Sequence, residues 1–477
     1  MTALYIGDER IMNGNYWGME AQYLMFLPLV AYEGDEAGDI EPRLAERWEH
    51  SDDYRTWTFY LRKDVRWHDG VPTTAHDVKF TLDLFKHSDV MKAGEEAYSV
   101  TVLDDFTFRI VYKKPKDALD SWNTYYPKHL LEDLDPKDFY SWEFWIHPVG
   151  NGPYRYVRHV PKIMAEYEAN PDYYRGKPKI DRIVLKFGTE NALTELLSGN
   201  VDVAYPSQMD LLKLKDNPRF RTYHWWGSWI EAIHWNQRNS LFREPTVRHA
   251  LTLAINRREL AKVLNYPDGV PIFDVISSRR QYRQGLVPDP LPYDPERASR
   301  LLEEAGWRDI DGDSVLEKEG QEFRFTAIYP SGKAIGNAVI YVQEQFRRIG
   351  IRMEVQSFQQ GVVMRRFSNG DFDAVFNRFK NGTKGNHQQL LLFGASIGYT
   401  NPKLFEHLNT LKYTIDPVEQ DRIYRKIMPI FQEDLPITFL LPQIQTVVVH
   451  RRIRGLTNNI KWEPVWFAEY LWIEEKD

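Results

Sequence analysis

The chain has no cysteine. Disulfides, thiolate metal sites and cysteine nucleophiles are therefore excluded. It also lacks any apolar run of about eighteen residues, the minimum for a bilayer-spanning helix. Met1 is followed at once by Thr2, Ala3, Leu4 and Tyr5, without the basic and apolar segments of a secretory leader. Charge of one sign is not in excess either: 61 basic and 68 acidic residues give −7. A nucleic-acid partner would need clustered Lys and Arg to neutralise phosphates, so none is expected.

The usual catalytic motifs are missing too. Gly382-Thr383-Lys384-Gly385 lacks the spacing of a phosphate-cradling loop. There is no HExxH, no close histidine pair among the thirteen histidines and no Gly-x-Ser-x-Gly. Asp309-Ile310-Asp311-Gly312-Asp313 resembles a calcium loop, but its glycine stands at position four rather than six. We read it as a polar turn. Spacing alone cannot set two carboxyls across a sugar. No metal, no cofactor and no enzymatic activity are expected.

What is present describes a globular chain. Hydrophobic residues make up 43% and charged residues 27% of 477 positions. That length predicts two to four domains of roughly 100–200 residues each. The most informative stretch runs from Pro42 to Phe85 and predicts a helical turn, a two-strand hairpin and a helix. Trp57, Phe59 and Leu61 alternate with polar or amphipathic neighbours, the period of a half-buried strand, and Val65 and Trp67 continue the apolar face. His68-Asp69-Gly70 supplies a turn. Thr74 and Asp77 predict a helix start, and Val78, Leu82 and Phe85 one helix face.

Further along, Asn256 with Glu259, Asp294-Pro295 and Asp416-Pro417 mark helix starts. Strands are expected at ITFLL and TVVVH near the end. The helix-then-strand units at GNVDVA and SNGDFDAV lie far apart, which suggests two lobes, each with its own sheet.

The run LAERWE, then WTFYLRKDVRWHDG, then a proline and TAHDVKF closely resembles the signature of the family 5 extracellular solute-binding proteins. These are the receptors of peptide-type ABC importers. HPVGNGPYRY (with Asn151 in place of the family's threonine), ANPDYYRGKPKIDRIVLKF and PTVRHALTLAINRREL extend the resemblance. It implies an α/β, two-lobed periplasmic-binding-protein fold (type II, cluster C-like) with discontinuous lobes, two crossing strands as a hinge, and an extra subdomain at about 45–145. Lobe I is expected at 1–240 and 446–477, and lobe II at 241–445. The C-terminal Trp462, Trp466 and Trp472 should pack back on lobe I.

Function is implied in the same way: capture of an oligopeptide or similar solute by hinge closure, then delivery to the permease and ATPase subunits of an ABC importer. An oligosaccharide or other non-peptide solute, anionic ones included, is the alternative, and hydrolysis the third reading. A monomer, periplasmic or membrane-anchored outside the cytoplasm, is implied, its leader already removed.

Two regions are candidates for ligand contact. Asn15, Tyr16 and Trp17 follow the first strand, where family members reach the cleft; the aromatics could equally plug the core. Trp225, Trp226 and Trp229 are three indoles in five residues, more than one strand face buries. At least one should face another surface, so Trp226 and Trp229 are candidates, with Asn236 at the family's "FN". In lobe II, peptide-binding members place an acidic residue after the "GDFD" strand to hold the ligand's α-ammonium group. Here the segment reads Phe376-Asn377-Arg378-Phe379-Lys380, without that acid. Asn377, Arg378, Phe379 and Lys380 are candidates. Arg378 and Lys380 would repel an amino terminus and could instead hold an anion, unless they are solvated loop charges.

Overall fold

The computed structural model describes residues 3–8, 19–32, 40–87, 90, 98–119, 124–161, 163–187, 192–214, 217–277, 281, 284–380, 394–456 and 468–474. The chain divides into two compact units, Met1–Trp225 with Thr446–Asp477, and Trp226–Gln445. The chain passes between units inside two long strands, Phe220–Trp235 and Ile437–His450. The first passage falls at Trp225–Trp226 rather than near 240, because the strand leaves the first unit before its own end. The second long strand also replaces the two short ones expected at ITFLL and TVVVH.

In the first unit, the strand Ala3–Asp8 runs parallel to Arg182–Phe187 and Val203–Ala204. Met164–Ala169 and Tyr154–Val160 extend this sheet antiparallel. The last residues of Ile437–His450 pair with Val203–Ala204. Tyr154, Tyr167, Ile183 and Val447 are fully buried in one core cluster, which also takes in Trp225, Ala468 and Leu471. Trp472 is 40% exposed, with Lys179 over its ring, and Trp462 and Trp466 lie outside the described residues.

A second, four-stranded antiparallel sheet in this unit has the order Ala45–His50, Thr56–Leu61, Thr107–Tyr112, Tyr98–Asp104. Trp57, Phe59 and Leu61 bury their side chains as the period-2 pattern dictates. The Phe59 and Phe108 rings stack at 5.1 Å, and Val78 and Leu82 of the helix Ala75–Leu84 close the core. The Asp77 carboxylate accepts the N–H of Thr74 at 2.7 Å and that of Lys128 at 2.9 Å, so one side chain starts two helices.

Two local expectations give way. Ala45–His50 is a strand, not a helical turn, because Trp48 pairs across to Phe59 and long-range pairing outweighs the propensity of Ala-Glu-Arg. Val65 and Trp67 are buried but outside any strand, joined to the return chain only by the Arg66–Pro72 bridge.

The segment around Asn151 shows why small residues are required. The N–H groups of Asn151 and Gly152 both donate to the Met25 carbonyl, at 2.9 and 2.7 Å. A Cβ on Gly150 would lie 2.0 Å from that oxygen. Asn151 is buried, and its Oδ1 accepts the Leu27 N–H at 2.9 Å.

The second unit is built on the strand order Arg352–Phe358, Arg324–Pro330, Ala374–Lys380, Phe220–Trp235, Ile437–His450. Successive residues of a strand face opposite ways, so each strand feeds two cores. Ile233, Trp235 and Phe376 join the helices Pro245–Leu253 and Lys333–Arg347 on one face. Ile230, Ala232, Val375 and Phe379 join Pro402–Tyr413 and Pro417–Asp434 on the other. Asn256, Asp294 and Asp416 each accept the backbone N–H three residues on, the capping role expected of them.

Candidate functional site

The site is assembled from one antiparallel strand pair of the second unit. Phe220–Trp235 pairs with Ala374–Lys380 in the register Trp229 with Lys380, Ile230 with Phe379, Glu231 with Arg378 and Ala232 with Asn377. Partners directly opposite point the same way. Trp229, Glu231, Arg378 and the position of Lys380 therefore share one face; Ile230, Phe379, Ala232 and Asn377 share the other.

This alternation separates the expected contact residues into two classes. Phe379 is fully buried in the core beside Phe439, with ring centroids 5.3 Å apart, and carries no ligand surface. Asn377 is 6% exposed and donates to Met364 Sδ at 3.3 Å. Asn236 is also a structural residue. Its Nδ2 donates to the carbonyls of Phe372 at 2.7 Å and Gly370 at 3.2 Å, and its Oδ1 accepts the Arg238 N–H at 3.2 Å. It ties the strand end to the "GDFD" turn. Both asparagines, like Phe379, were expected at a ligand surface; backbone groups occupy Asn236, the Met364 thioether takes Asn377, and core packing takes Phe379.

On the opposite face Trp229 is 38% exposed. Arg378 donates from Nε to Glu231 Oε1 at 3.1 Å. Its side chain is half exposed, whereas that of Glu231 is 16% exposed. The Arg378 charge is thus neither unpaired nor a bare anion-binding lip. Burial raises the Glu231 carboxyl above its ordinary range, and the Arg378 guanidinium only partly opposes the rise. Its second oxygen, Oε2, is buried and has no hydrogen-bond partner among the described residues. Tyr266, desolvated and near Glu231, is pushed up to about 12.

Glu231 did not stand out in the sequence. The available signal was a lone acid inside the aromatic run WWGSWIEAIHW, on the same strand face as an exposed indole. Trp225 is buried in the first unit. Asn15, Tyr16 and Trp17 lie outside the described residues, as do the side chains of Trp226 and Lys380.

Asp309, Asp311 and Asp313 bring exposed carboxylate oxygens within 4.8 Å of one another. Each already accepts backbone N–H groups of its own turn, from Gly312 and Ser314, Asp313, and Val315 respectively. Among the described residues no helix is long and apolar enough to cross a membrane.

Comparison with known proteins covers nearly the whole chain. The oligopeptide-binding protein AppA of Bacillus subtilis is 26% identical over 496 residues, covering 97% of this chain and 91% of that protein. The nickel-binding periplasmic protein of Escherichia coli is 26% identical over 485 residues, 94% and 88% of the two chains. Among solved structures, the ABC transporter substrate binding protein CtaP of Listeria monocytogenes matches with a TM-score of 0.83 at 20% identity, over 99% of both chains. That likeness shows the fold, the α/β two-lobed fold of such receptors. The model of the bacterial extracellular solute-binding proteins, family 5 (Middle), matches residues 39–401. The chain belongs to the family 5 extracellular solute-binding proteins.

Proposed function

We propose that this protein is the non-catalytic, extracytoplasmic receptor of an ABC importer, that it takes up an oligopeptide by hinge closure, and that it hands the peptide to a membrane permease. The observation that carries the peptide assignment is the Glu231–Arg378 pair. A peptide's amino terminus is repelled by an unpaired guanidinium but not by one already offset by a carboxylate. Near-complete coverage of an oligopeptide-binding relative supports the same reading. Trp229 and Lys380 stand on the same strand face and are assigned to ligand contact, as are Trp226 and the segment Asn15, Tyr16 and Trp17.

A second reading, an oligosaccharide or anionic solute, is favoured by the exposed Trp229 indole and by the missing acidic residue after the "GDFD" strand. A thermal-shift screen of the purified protein against peptides, oligosaccharides and anionic solutes separates the two. A ligand at 100 times its Kd adds about 2.7 kcal/mol of stability. Peptides are expected to raise the melting temperature; a rise with sugars or anions alone would sink the peptide assignment.

A further inference from the structure

We propose that Glu231 is a ligand anchor of the second unit: its Oε2 takes an ammonium group of the bound solute, with the Trp229 indole beside it against the solute's adjoining part. The proposal rests on the peptide reading above and deepens it, since a free amino terminus supplies such an ammonium group.

The geometry points there in three ways. A carboxylate has about four acceptor sites on its two oxygens. Glu231 fills one of them with the Arg378 Nε, and Oε2 has no partner among the described residues although it is buried. A buried acceptor left unmet is unfavourable, so a group able to donate to it binds with more than its own contact energy.

The donor on the other oxygen of this carboxylate is a surface side chain. Arg378, the only residue described as hydrogen-bonding the Glu231 side chain, is half exposed and held through a single nitrogen rather than a two-pronged grip. It can swing without breaking a paired fork, and its remaining guanidinium N–H groups can then serve peptide carbonyls.

The chemistry alongside fits an amine attached to an organic body. Trp229 stands two residues before Glu231 in an unbroken register, so its ring rises from the same face. An indole face attracts cations and covers apolar groups. A purely anionic solute would meet the Glu231 carboxylate with like charge.

The test uses the whole chain and a pool of lysine-free penta- to nonapeptides, with free and with acetylated amino termini. Affinity of the best peptide is measured by calorimetry for the wild type and for Glu231→Gln, whose unliganded melting temperature serves as the folding control. Glu231→Asp, which keeps the charge, is the second variant. The expected result is a loss of at least 10-fold for free-amine peptides in E231Q, partial retention in E231D, and weak binding of acetylated peptides that E231Q leaves unchanged. Equal binding of free-amine peptides by wild type and E231Q would overturn the anchor and leave the peptide receptor standing. Binding only of solutes without an amine would overturn both.

Discussion

Two ion pairs in the second unit have the same chemistry and opposite surroundings. Arg257 and Asp274 are 3% and 1% exposed. Arg257 bonds both Asp274 oxygens and donates to the carbonyls of Phe273, Leu291 and Phe439. Asp274 Oδ2 also accepts the Leu291 N–H. Every oxygen of that carboxylate has a partner. Glu231 and Arg378 share one hydrogen bond, half of Arg378 lies in solvent, and one buried oxygen has none among the described residues. A saturated pair holds loops and strand together; an unsaturated one retains bonding capacity for a visitor. Completeness of hydrogen bonding, rather than charge, distinguishes scaffold from site.

The sharpest way to break this contrast is to delete one partner of the saturated pair. Asp274→Ala should destabilise the protein by about 3–5 kcal/mol, because Arg257 is left charged and buried. Denaturant unfolding measures it; a loss under about 1 kcal/mol would place the two pairs in the same class. Arg378→Ala is expected to be far milder, under about 1 kcal/mol at pH 7, since a half-exposed partner is largely replaced by water.

That smaller loss should depend on pH with a definite sign. The folded-state pKa of Glu231 lies above its unfolded value. Its ionisation therefore disfavours the folded state once pH rises past the unfolded carboxyl range, and protonation at lower pH removes the penalty. Removing the Arg378 cation raises that pKa further, so the Arg378→Ala deficit should shrink toward pH 4. Melting curves at pH 4 and pH 7 check this; a deficit that stays the same at both would show that Arg378 acts through packing.

The smallest effect is expected for Glu231→Gln without ligand. The amide keeps an acceptor for Arg378 and removes the ionisation penalty. Its melting temperature at pH 7 should equal or exceed that of the wild type, with the difference closing toward pH 4. A clear drop would make Glu231 a structural residue like Asp274 and remove the distinction between the two pairs.

Local physics made much of the fold legible. Alternation at Trp57, Phe59 and Leu61, and the side-chain caps from Asp77, Asn256, Asp294 and Asp416, act over a few residues and so are written where they act. Ala45–His50 was legible only with its partner strand, since its own residues favour a helix.

The candidate site divides along the same line. The sequence by itself determined the family motifs, the crowding of indoles at Trp225, Trp226 and Trp229, and the absence of the acid expected after the "GDFD" strand. It could not determine which of four consecutive residues, Asn377 to Lys380, meets a ligand, because facing depends on which side of the sheet the second core lies. The folded sheet sets that facing. It sent Phe379 and Asn377 inward, made Asn236 a latch, and joined Arg378 to an acid 147 residues earlier in the chain. Hydrogen-bond saturation is a sum over partners from distant segments, and only the folded chain brings those partners within about 3 Å of one another.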